Sequence, residues 1–321
     1  MSPEELAEQI AAGNVRAVAR ACRLVDDHAP EARELLRLLH PHSQAAWTIG
    51  VTGSPGAGKS TLVDRLIERF RAEKKRVGVV AVDPTSPFSG GAILGDRVRM
   101  QRHFEDAEVF IRSLATRGAL GGLSRSAADV VGVLAAWGAD VVLLETVGVG
   151  QDELEVTEVC DTTLVVVSPG LGDDVQALKA GILEVADVFA VNKADHAGAD
   201  ATVRDLEAMQ ALGDATLSAH DGHVRFRPAI VRTVATTNQG IEDLVRALEA
   251  HRDAALQHGE AKRQQRAATT LRRLITQALT ERAFSELGTA VEEAERRIVE
   301  GTSDPYSECD ALVRRLSIPR S

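Results

Sequence analysis

The stretch Gly53-Ser54-Pro55-Gly56-Ala57-Gly58-Lys59-Ser60 constrains the fold of this chain more than any other feature of its sequence. It follows the apolar run Ile49-Gly50-Val51-Thr52 and opens a segment of helical spacing near Thr61. Glycines let the backbone curl its N–H groups towards phosphate oxygens, and the N-terminus of the following helix adds a favourable dipole. A plain Gly-rich turn has no reason to continue as Lys-Ser. The pattern GxxxxGK[ST] between strand and helix therefore predicts a phosphate site built on Gly53, Pro55, Gly56, Ala57, Gly58, Lys59, Ser60 and Thr61. Lys59 would bring positive charge to the outer phosphates and act in catalysis, and Ser60 would ligate magnesium.

The rest of the chain reads as α/β around that loop. Short apolar, β-branched runs at 48–52, 77–82, 109–111, 141–144, 164–167, 188–191 and 230–234 predict strands, with helical spacing at 62–72, 124–137, 175–185, 202–212 and 241–252. Such alternation implies crossover connections and a mostly parallel sheet, and strands apolar throughout imply burial on both faces. Residues 6–25 and 31–39 predict a helical preface, and 257–266 is a polar exit from the core. Leu271, Leu274, Ile275, Ala278 and Leu279, then Val291, Ala294 and Ile298, predict two further helices before Gly301 and an Asp304-Pro305 break. The expected division is a helical extension at 1–46, a nucleotide-binding domain at 47–256 and a helical extension at 257–321. The last is a dimerisation arm or a pair of helices packed on the parent domain.

Composition limits the partners. A net charge of −10 argues against nonspecific nucleic-acid binding, which needs clustered Lys and Arg. Cys22, Cys160 and Cys309 form neither a disulfide framework nor a zinc spacing, which fits a reducing, cytoplasmic setting. The acidic start lacks a secretory pattern, and no apolar run approaches the roughly 20 residues that span a bilayer. A soluble protein with no nucleic-acid or membrane partner is expected.

Three further segments carry chemistry. At a strand end, Asn192-Lys193-Ala194-Asp195 matches NKxD: Asp195 can accept hydrogen bonds from guanine N1 and N2, Lys193 can lie along the base and Asn192 can brace the loop. Adenine lacks that donor pair, and such a site can reject it by about 10⁴ to 10⁵. The loop containing Ala235 and Thr236 follows the last strand, where such folds place a backbone contact to the base. The run Glu145-Thr146-Val147-Gly148 puts an acid and a flexible glycine where a nucleotide hydrolase senses magnesium and the terminal phosphate: Glu145 is a metal candidate and Gly148 a hinge for the γ-phosphate. Asp83 and Asp96 flank a Gly/Ser-rich loop that reads as a switch; they are candidates to hold magnesium-bound waters or orient the attacking water, or else to cap a helix.

With these motifs in place, the sequence resembles the MeaB/ArgK-type G-protein chaperones of adenosylcobalamin-dependent acyl-CoA mutases, the family that includes the human methylmalonic aciduria type A protein. The most specific stretches are Val82-Asp83-Pro84-Thr85-Ser86-Pro87-Phe88-Ser89-Gly90-Gly91 with its continuation to Met100, and Glu145 to Gln151. The resemblance implies a P-loop GTPase core of the SIMIBI-like kind with helical extensions at both ends. It also implies a homodimer that binds GTP or GDP with Mg²⁺, docks on a mutase and gates adenosylcobalamin delivery and removal of damaged cofactor, the B12 cofactor being met only through the partner. Within the stretch 170–179, Gln176 and Lys179 are carried over as residues coupling to the mutase. The chain departs from the family pattern at Ala235-Thr236, where many such GTPases have Ser-Ala. Ras-like enzymes have a water-orienting glutamine at the position held here by Val149, which predicts slow hydrolysis without a partner.

Two other activities compete. A nickel-delivery GTPase should display a His-rich tract or paired Cys/His ligands, and nine scattered histidines supply neither. A kinase acting on a small molecule or a transport protein is an older interpretation of such sequences, and the NKxD motif opposes it by predicting GTP over ATP. In a third class, a scaffold, nucleotide would only fix conformation. Methylmalonyl, isobutyryl, ethylmalonyl and hydroxyisobutyryl mutases would all present similar GTPase motifs.

Overall fold

The structure is a computed structural model describing residues 1–83, 100–115, 126–146, 152–170, 185–217, 227–258 and 260–316. Three helices come first: α1 (Pro3–Ala11), α2 (Val15–Asp26) and α3 (Ala32–Leu39). The expected single helix over 6–25 is broken, because Gly13 takes φ +85° and Asn14 starts a new helix by accepting from the Arg16 and Ala17 amides at 3.0 and 3.2 Å. The break lets Leu6 and Ile10 of α1 and Val18 and Cys22 of α2 enter one core with Leu35 and Leu39 of α3.

The strands β1 (Trp47–Thr52), β2 (Val77–Asp83), β3 (Val109–Ala115), β4 (Val141–Glu145), β5 (Thr162–Val167), β6 (Val188–Val191) and β7 (Ala229–Arg232) form one sheet in the order β3-β2-β4-β1-β5-β6-β7. Its ladders are parallel throughout. The helices around it are α4 (Lys59–Ala72), α5 (Ala127–Ala136), α6 (Asp152–Val159), α7 (Ala199–Leu217) and α8 (Ile241–His258).

Strand side chains alternate between faces. Trp47, Ile49 and Val51 of β1 pack with Leu62, Leu66 and Phe70 of α4 and Leu244 and Leu248 of α8. Val80 and Val82 of β2 and Val142 and Leu144 of β4 pack on the other face with α5 and the preface helices. Two covered faces explain why the strands are apolar along their whole length. Gly50 is required by proximity: a Cβ there would stand 2.1 Å from Val156 Cγ1 of α6.

The segment expected as a strand at 230–234 pairs only to Arg232; Val234 instead bridges Gln239 and closes a tight loop. The polar stretch at 257–266 is almost wholly helical, with α8 running to His258 and α9 (Glu260–Leu287) following. Its Glu, Ala, Lys, Arg and Gln are good helix formers, so polarity there does not end helical structure. Helices α10 (Thr289–Val299) and α11 (Pro305–Arg315) come after it. The chain leaves the helix after Val299, and Asp304-Pro305 also starts a further helix, since Asp304 accepts from the Tyr306 and Ser307 amides and proline suits the first helical position. Arg297 forks onto Glu308 at 2.8 and 2.6 Å, and this bonding pulls the Glu308 carboxyl down to about 2. The chain divides into two compact units, Met1–Gly259 and Glu260–Ser321. Among the described residues no helix is long and apolar enough to cross a membrane.

Candidate functional site

At the C-terminal end of β1 the chain curls through Gly53, Gly56 and Gly58, with φ of +129°, +78° and +93°, into α4. Only glycine fits the first and last of these: a Cβ on Gly53 would lie 2.0 Å from Val166 O, and one on Gly58 2.4 Å from Asn192 Nδ2. Pro55 and Gly56 are exposed at the loop tip, Ala57 is buried, and Thr61 in the first turn of α4 is half-buried. Lys59 is buried and its Nζ donates to Gly53 O at 2.6 Å and Ser54 O at 3.1 Å, so its charge stands inside the curl. Since β1 lies between β4 and β5, the loop opens at the carboxyl ends of the central strands, where open parallel sheets bind ligands.

Register brings the candidate metal acid alongside. Val51 pairs with Glu145 across β1 and β4, and Ser60 Oγ donates to Glu145 Oε1 at 2.6 Å with both residues buried. Thr146 fixes this strand end through its amide to Val51 O and its hydroxyl to Thr52 Oγ1, both at 3.1 Å. A hydroxyl and a carboxylate at the foot of a phosphate loop are hard oxygen donors, a set that fits magnesium. Asp83 ends β2, two residues beyond the Ala81 that pairs with Glu145. Its side chain, and the whole of Asp96, Gly148, Val149, Gln176 and Lys179, lie outside the described residues.

The candidate base motif is tied directly to the phosphate loop. Asn192, at the end of β6 and buried, donates from Nδ2 to Ala57 O at 2.8 Å. Its Oδ1 accepts from Thr233 Oγ1 at 3.2 Å and from the Ala235 amide at 3.1 Å. Lys193, with φ +56°, donates to Gly56 O at 2.8 Å, and Asp195 follows in an exposed turn. Two motifs more than 130 residues apart thus share hydrogen bonds, and Ala235 and Thr236 sit in the third loop of the same cluster.

Two participants escape sequence reasoning. Arg65 of α4 donates from Nε to Ala235 O at 2.9 Å. Asp64, beside it, receives Arg102 Nε at 2.8 Å and His103 Nε2 at 2.9 Å, which pins the turn after residue 99 onto α4. Burial opposes ionisation of Asp64, but the hydrogen bonds and charges of His103 and Arg102 outweigh it and hold the carboxyl below its usual range. Neither residue belongs to a motif; their only signal in the sequence is helical phase relative to Ser60.

Phosphate loop, neighbouring acid and an Asn-braced third loop on a parallel sheet are the layout of a P-loop GTPase. The family model described as methylmalonyl-CoA mutase-associated GTPase MeaB matches residues 18–287. The chain belongs to the MeaB family. A Pyrococcus abyssi protein that carries a GTPase name is 44% identical over 316 residues, covering 98% of this chain and 96% of the relative. The methylmalonic aciduria type A homolog of mouse mitochondria is 31% identical over 270 residues, covering 83% of this chain and 64% of the relative. The fold is similar to a crystal structure of a LAO/AO transport system kinase, with a TM-score of 0.67 and 25% identity over 97% of this chain and 96% of that one.

Proposed function

We propose that this GTPase is a chaperone of an adenosylcobalamin-dependent acyl-CoA mutase, gating cofactor loading and the removal of damaged cofactor through GTP binding and hydrolysis. The observation that carries the nucleotide part is Asn192, whose two ends join the phosphate loop to the candidate base loops. Family membership supports the mutase part, since the family is described by its association with methylmalonyl-CoA mutase. In this reading the chain acts as a homodimer in the cytoplasm and meets B12 only on its partner.

In the reaction, water attacks the γ-phosphorus, the bond from that phosphorus to the β,γ-bridging oxygen breaks, and GDP and phosphate leave. Lys59 and the loop N–H groups neutralise charge spreading over the phosphoryl oxygens, and no covalent intermediate is required. Ser60 and Glu145, with Asp83 and Asp96 as further candidates, would hold a magnesium ion, which supplies Lewis-acid charge neutralisation. The aliphatic side chain of Val149 offers no hydrogen bond to a water, so turnover is slow until the partner completes the site.

The test is GTP turnover with and without each candidate mutase, together with complex formation. Stimulation and a complex are expected with one of them; neither with any would sink the chaperone reading and leave the GTPase intact. The kinase reading draws on the named activity of the structurally similar protein, and the Asn192-Lys193-Ala194-Asp195 loop opposes it. Preference for ATP, with phosphate passed to an acceptor other than water, would favour it. A scaffold role would be favoured by a Lys59→Ala variant that keeps full partner function.

A further inference from the structure

The loop after β7 is closed at its base. The Val234 amide donates to Gln239 O at 2.9 Å and the Gln239 amide returns to Val234 O at 3.3 Å. Gly240, at φ +77°, completes the closure, and a Cβ there would lie 2.0 Å from Arg232 O. Two successive peptide groups inside this ring are held from outside. Asn192 Oδ1 takes the Ala235 N–H, and Arg65 Nε donates to the Ala235 carbonyl.

A trans peptide is planar, and its carbonyl and the next N–H point in opposite directions. Arg65 therefore fixes the direction of the Thr236 N–H as well as of the Ala235 carbonyl. The guanidinium is itself braced: its second arm donates to Glu68 Oε2 at 2.8 Å, and Glu68 Oε1 accepts from Arg102. With Arg65 23% and Glu68 35% exposed, these contacts are partly shielded from water.

We infer that Arg65 is a positioning residue for base selectivity: by holding the Ala235 carbonyl it aims the Thr236 N–H at an acceptor on position 6 of the base. The inference rests on the GTPase reading above and divides recognition in two. Asp195 meets the donors at N1 and N2, whereas the 235–236 peptide meets the 6-oxo group. A 6-amino base would set donor against donor there and leave a polar group unpaired.

Nucleotide pairs that differ at one atom or group separate the two halves. GTP against 6-thio-GTP changes the acceptor at position 6, and GTP against ITP removes the 2-amino group. Wild-type protein should prefer GTP in both pairs. Arg65→Gln should shrink the preference over 6-thio-GTP by about two- to tenfold, the range of one net hydrogen bond, and leave the preference over ITP intact. Arg65→Lys keeps the charge but loses the fork and should behave in the same way, which carries the test if the Gln variant does not fold. An unchanged 6-thio ratio in a folded variant, equal losses in both ratios, or wild-type indifference to sulfur would overturn the inference. Failure of the GTPase reading would show separately, as wild-type protein without preference for GTP over ATP.

Discussion

Replacing Asn192 with Ala removes the side chain that joins three segments of the candidate nucleotide site. The groups it leaves, Ala57 O, the Ala235 N–H and the Thr233 hydroxyl, belong to residues that are 0%, 3% and 0% exposed, so water does not readily substitute. The hydroxyl can rotate to another acceptor; the two backbone groups cannot. Each buried backbone group left unpaired costs about 1–3 kcal/mol, so the variant should lose about 2–6 kcal/mol. At about 2–4 °C per kcal/mol for a unit of this size, the midpoint of thermal unfolding should fall by about 4–24 °C. Unfolding followed through Trp47 and Trp137 fluorescence, with GDP affinity from a fluorescent analogue, reads both consequences. Asn192→Asp sharpens the test, because it keeps an acceptor for the Ala235 amide but sets a second acceptor against Ala57 O. Its GDP affinity should fall as far as that of the Ala variant. A midpoint shift under about 2 °C with unchanged GDP affinity in both variants would refute the idea that this side chain unites the site.

Three other substitutions test separate parts. Glu145→Gln keeps the shape and a hydrogen bond to Ser60 but removes charge, and should weaken metal affinity about 10- to 100-fold, measured by titrating Mg²⁺ at saturating GTP and following turnover. Gly53→Ala forces a Cβ to within 2.0 Å of Val166 O at φ +129°, so GDP binding should be lost by calorimetry even where folded protein is recovered. Asp64→Asn tests the clamp on α4. A carboxyl held below its ordinary 3.8 stabilises the fold above that pH and loses its contribution as pH falls through the lowered value. The variant should therefore be less stable than wild type at about pH 6, with the gap closing as both are acidified below about pH 4 in urea melts; a gap independent of pH would contradict it.

Much of this architecture is legible because it is local. The strand, Gly53–Ser60 loop and α4 are contiguous, and the apolar strands announce a doubly covered sheet without knowledge of strand order. Helix α6 left little trace: among its residues with described side chains only Val156 is buried, and what it meets is Gly50, a contact made by the absence of a side chain. Asp304-Pro305 misleads because such a dipeptide can lie beyond the end of one helix or open the next, and only the capping bonds decide. Arg65 and Ala235 are 170 positions apart, so no window contains their bond. The break at Gly13 is marked by Gly-Asn, but the apolar spacing on either side continues in phase closely enough to suggest one helix.

The bond from Asn192 to Ala57 has a consequence for what this protein can measure. With Lys193 on Gly56 as well, the candidate base loop and the phosphate loop are, on the reading proposed above, the two jaws of one gauge, tied to each other by the protein's own hydrogen bonds. A nucleoside or a free polyphosphate would touch one jaw only. On that reading the jaws would report that a guanine nucleotide is present, and the task of telling three phosphates from two would fall to the groups gathered around Ser60 and Glu145.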